Sequence, residues 1–241
     1  MQTNNTEEMN MMKSGIDQEA LSKMFAEAGA KQGENLRKAV ADATLKALQG
    51  RELTLENIRK VVKNVTQATT TGAAQNPASA VDVEGMLGKA LSGMDAALLQ
   101  AVEANRKALE QFVDQGAGLQ DGPLKAAVGN LEKMEDMFFA AVTKATQTSG
   151  PLQPAWESAL GAMKMKGTDT GTQASAVVEQ LMEQAQSALR EGRANSLRTA
   201  KAMIDSYAAI VSGVLIGMSE GLQQRTSASA PAAEASKSRR R

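Results

Sequence analysis

The sequence predicts an all-α fold of amphipathic helices, in a bundle or a coiled-coil-like assembly, with disordered N- and C-terminal tails. Three observations predict it. Apolar residues recur at helical spacing, as in Leu87, Leu91, Met94, Leu98, Val102 and Leu109, which gives a 3.6-residue helix one apolar stripe. The composition is rich in Ala, Gln, Lys and Glu with only five prolines and six aromatic residues, the usage of long helices. No segment makes a convincing strand.

The elements follow in order. Residues 1–15 are polar, Met-rich and aperiodic and read as a disordered N-terminus. Residues 16–76 form a helical hairpin region. Asp17 or Ser14 can cap a first helix whose inner face carries Leu21, Met24, Phe25 and Ala28. Gly29 and Gly33 interrupt it, at about 1 kcal/mol each relative to Ala. The pattern resumes with Leu36, Val40, Ala43, Ala47 and Leu48, so one kinked helix and two separate helices fit equally well. Gly50 ends the run. Thr54 suits the N-cap of the next helix, with Leu53 as its hydrophobic staple. Ile58, Val61, Val62 and Val65 form its stripe, and Asn76-Pro77 stops it.

Residues 77–224 read as a helical bundle with a long C-terminal helix. Asp82 can cap a helix of about seven turns, with Glu103, Arg106, Lys107 and Glu110 on a solvated face. A glycine-rich loop precedes Pro123, which suits the start of a helix bearing Leu124, Val128, Leu131, Met134, Phe138, Ala141 and Val142. Gly150-Pro151 breaks the chain before a short helix with Trp156, Leu160 and Met163 on one face. GTDTGT (167–172) reads as a plain turn, with Thr172 as the cap of the last helix. Val177, Val178, Leu181, Met182, Ala185 and Leu189 lead to Gly192. If Gly192 is only a kink, that helix covers about 50 residues and about 75 Å. Residues 225–241 form a disordered basic tail.

The most apolar stretch is 197–222, LRTAKAMIDSYAAIVSGVLIGMSEGL. Leu197, Ile204, Val211 and Met218 recur every seven residues and make one stripe. Gly213, Gly217 and Gly221 recur every four and make a smooth ridge for close helix approach. These seven residues are the candidate packing and interface set, and the rest of the chain is expected to pack around this helix. Asp205 and Glu220 bracket only fourteen residues. A membrane span needs about 20, so no transmembrane span is expected.

Composition also excludes. There is no Cys and no His, which removes disulfides, thiolate sites, the commonest general base and the commonest transition-metal ligand. No catalytic, cofactor-binding or metal-binding set stands out, and no enzyme activity or cofactor is expected. Glu132, Glu135 and Asp136 read as solvated carboxylates. Lysines and arginines balance acids at 27 each, so no net field steers the chain to nucleic acid. Lys237, Arg239, Arg240 and Arg241 give only a weak basic tail. The acidic start MQTNNTEEMN has the wrong sign for a secretory signal. Trp156 and Tyr207 read as core anchors.

The segments AALLQAVEANRKALEQFV, MFFAAVTKATQ with its following Trp, and SASAPAAEASKSRRR resemble the phasins, bacterial proteins that coat polyhydroxyalkanoate granules. The likeness lies in composition and helix organisation over about residues 80–241; GVLIGMSEGL falls outside it, and no site residue carries over. It implies a non-catalytic cytoplasmic coat that self-associates and binds a hydrophobic surface. The expected function is therefore a helical structural or interaction protein. It is expected to be a homo-oligomer, cytoplasmic or at a granule or membrane surface, that binds a hydrophobic polymer, a lipid surface or partner helices. The alternative is a membrane-active protein that inserts the glycine-patterned helix 199–222.

Overall fold

A computed structural model describes residues 16–28, 32–49, 54–77, 80–114 and 122–190. Its helices are α1 (Gln18–Glu27), α2 (Gly33–Leu48), α3 (Leu55–Gln75), α4 (Ala80–Asp114), α5 (Gly122–Glu132), α6 (Met134–Thr146), α7 (Gln153–Lys166) and α8 (Asp169–Arg190). A 3-10 turn, Gly150–Leu152, precedes α7. No strand occurs among the described residues, so the all-α expectation holds.

Side-chain caps explain some of the boundaries. The Asp17 carboxylate accepts the Ala20 N–H at 2.9 Å and starts α1. Thr54 Oγ1 accepts the Asn57 N–H at 3.2 Å and starts α3, as its sequence context predicts. α1 and α2 are separate helices: Ala28 is extended at φ −71°, ψ 132°, and the helix resumes at Gly33. Gly150 and Gly167 adopt positive φ, 57° and 79°, a conformation open to glycine at no steric cost. They set the breaks on either side of α7.

Three boundaries differ from expectation. Asp82 lies inside the first turn of α4 rather than at its cap, because the helix already begins at Ala80. The continuous helix expected beyond Pro123 is broken at Lys133 into α5 and α6. α8 begins at Asp169, so GTDTGT is a helix start and not a plain turn; Thr172 sits within the helix and donates its hydroxyl to the Thr168 carbonyl at 3.1 Å.

Among the described residues α4 is the central element. It packs on α2, α3, α7 and α8, while α1 lies on α3 and α6 bridges α3, α5, α7 and α8. Leu87, Leu91, Met94, Leu98, Val102 and Leu109 of α4 are all buried. They join one core with Val40 and Leu48 of α2, Ile58 and Val65 of α3, Phe138 of α6, Trp156 of α7 and Leu181 of α8. Burying a side chain of this size contributes about 1.5–3 kcal/mol, so the stripe of α4 alone outweighs any single cap. Met24 departs from expectation. Placed on the inner face of α1 by spacing, it is 41% exposed.

Two contacts need glycine. A Cβ on Gly72 of α3 meets the Ser22 carbonyl oxygen of α1, and one on Gly93 of α4 meets the Arg37 carbonyl oxygen of α2. Both helix pairs therefore approach backbone to backbone.

Candidate functional site

The seven residues predicted as an interface, Leu197, Ile204, Val211, Gly213, Gly217, Met218 and Gly221, lie outside the described residues, as do Gly192, Tyr207 and the basic tail. The polar chemistry that the structure does describe gathers where α8 starts.

Asp95 is a buried carboxylate on α4. Its Oδ2 accepts the Asp169 N–H at 3.0 Å and its Oδ1 accepts the Thr170 N–H at 3.1 Å. The Thr170 hydroxyl donates to the Asp95 carbonyl at 2.9 Å. From the other side, Glu135 Oε1 of α6 accepts both the N–H and the hydroxyl of Thr168, at 2.9 and 2.6 Å. Thr168 Oγ1 in turn accepts the Gly171 N–H at 2.8 Å. The first turn of a helix presents unpaired N–H groups and a positive dipole end. Here the Asp95 carboxylate and the Thr168 hydroxyl satisfy it, and the Glu135 carboxylate in turn holds Thr168. A Cβ on Gly171 runs into the Glu135 carboxylate, so the close seat of Glu135 also needs glycine there. Glu135, expected among solvated acids, is instead half-buried and engaged in this clamp through Oε1.

Further along, α4 and α8 run side by side. Arg106 donates to Glu103 at 3.0 Å and to Glu110 at 2.6 Å. Those two acids also accept from Gln173 and Gln180 of α8. Burial works against the Arg106 charge, but its two carboxylate partners outweigh that and hold its pKa above the ordinary value. Of the face expected to be solvated, Lys107 is exposed, while Glu103, Arg106 and Glu110 form a polar seam with side chains only 21–25% exposed. Pairing with Arg106, not the i,i+4 partner Lys107, organises it.

Trp156 is fully buried, and its Nε1–H donates to Thr70 Oγ1 of α3 at 3.1 Å. It is a core anchor, as expected. A groove of about 290 Å³ opens between α6 and α7, lined by Thr143, Thr146, Leu160, Gly161, Glu157 and Lys164 among others. Glu157 is held there by Gln153 at 2.8 Å, and the Lys164 ammonium lies 5.4 Å from the centre of the Phe139 ring.

Chemically, these groups fix helices. Both Asp95 carboxylate oxygens and Glu135 Oε1 are taken up by hydrogen bonds, and no group of three or more metal-ligating side chains occurs among the described residues. Also among the described residues, no helix is long and apolar enough to cross a membrane.

Fold and site together define a helical-bundle protein whose helices are tied by the buried carboxylate of Asp95 and by less buried carboxylates and amides. No curated protein and no solved structure matches the chain. The chain belongs to a family of unknown function, DUF6781, whose model matches residues 11–224. That match includes the apolar stretch 197–222 and stops before the basic tail.

Proposed function

We propose that the protein is a non-catalytic, self-associating helical coat that binds a hydrophobic surface, in the manner of a phasin on a polymer granule. One observation carries this reading. The described helices turn their apolar stripes inward, and the large hydrophobic side chains they leave exposed are Met24, Met165 and Met182. The longest uncharged apolar run of the chain, 207–218, lies beyond them, within the part matched by the family. On this reading the stripe of Leu197, Ile204, Val211 and Met218 makes the contact. A helix with one apolar face lies shallowly at a surface without spanning it. The ridge of Gly213, Gly217 and Gly221 joins copies of the chain.

The test is flotation of the purified chain with polyhydroxybutyrate granules and with phosphatidylcholine-coated triolein droplets. Recovery with the particles is expected, and Val211→Asp should reduce it. Recovery of all the protein in the unbound fraction overturns the coat. Resistance to carbonate extraction from phosphatidylcholine vesicles would point instead to an inserted helix 199–222.

A further inference from the structure

We draw no further inference here: the strongest candidate, the groove between α6 and α7 lined by Leu160, Gly161, Glu157 and Lys164, is an open surface, and nothing in the structure shows what covers it.

Discussion

Asp95 offers both carboxylate oxygens to backbone N–H groups 74 and 75 residues further along the chain. This is an N-cap supplied from another helix. It replaces water at donors that α8 cannot satisfy itself. Asp95→Asn keeps the shape but turns one acceptor into a donor facing an N–H. A buried donor left without a partner costs about 1–3 kcal/mol, so the urea midpoint should fall by that equivalent, and amide exchange should rise first at Asp169 and Thr170. A loss below about 0.5 kcal/mol, the scale of ordinary surface changes, would show the clamp to be incidental. Glu34 provides a pH-dependent contrast. Hydrogen bonds from Lys89 and Arg37 lower its pKa from 4.5 to about 2. A depressed carboxylate adds stability above its unfolded value and loses it as pH falls through its folded value. The advantage of wild type over Glu34→Gln should therefore be full above pH 4.5 and disappear toward pH 2. Because the pair is exposed, it should also shrink with added salt. Carboxyl chemical shifts of Glu34 check this directly: a midpoint near 4.5 would mean that the Lys89 contact does not hold in solution.

At the scale of elements, the glycines of α4 separate what sequence spacing reveals from what it does not. Gly85, Gly88 and Gly93 lie in one 35-residue helix. A Cβ meets nothing at Gly85 or Gly88, whereas at Gly93 it meets the Arg37 carbonyl. Gly88→Ala should thus raise stability by about 0.5–1 kcal/mol through helix propensity. Gly93→Ala should lower it by about 1–3 kcal/mol, because α2 must shift to admit the methyl. Thermal melts of the two variants moving in the same direction would contradict the backbone approach. Nothing in LGKALSGMD distinguishes these positions, because the difference lies in another helix. The apolar stripes were legible for the opposite reason. Leu87 to Leu109, Ile58 to Val65 and Trp156 with Leu160 repeat locally, and burial follows from that repeat. Caps made by near neighbours, Asp17 and Thr54, were legible too. The clamp on α8 was not, since Asp95 and Glu135 reach Asp169 and Thr168 across 74 and 33 residues. Its one local trace is Thr168, three residues before Gly171. The polar seam is not legible either, because i,i+4 spacing shows charge pairs on one helix but not the glutamines of its neighbour.

For the whole molecule, one core runs from Ile16 to Leu181, so the described helices should unfold together, and the self-association proposed above would use surface beyond that core. The glycine series at 213, 217 and 221 is the sequence's strongest offer of such a surface. On a helix, residues four apart form a continuous row, and Ser212 falls off that row. If copies of the chain meet along it, Gly217→Leu forces the backbones apart. Overpacking a tight contact costs about 1–3 kcal/mol, and about 1.4 kcal/mol is a tenfold change in an equilibrium constant. Self-association should then weaken roughly five- to hundredfold. Ser212→Leu adds a side chain of the same size beside the row and should change the association constant by less than about threefold, as surface substitutions do. Light scattering across a concentration series reads both constants. Thermal melts at the same concentrations separate a broken interface from a broken fold, because only the interface effect depends on concentration. Equal mass and equal stability for the two variants would mean that the ridge joins nothing.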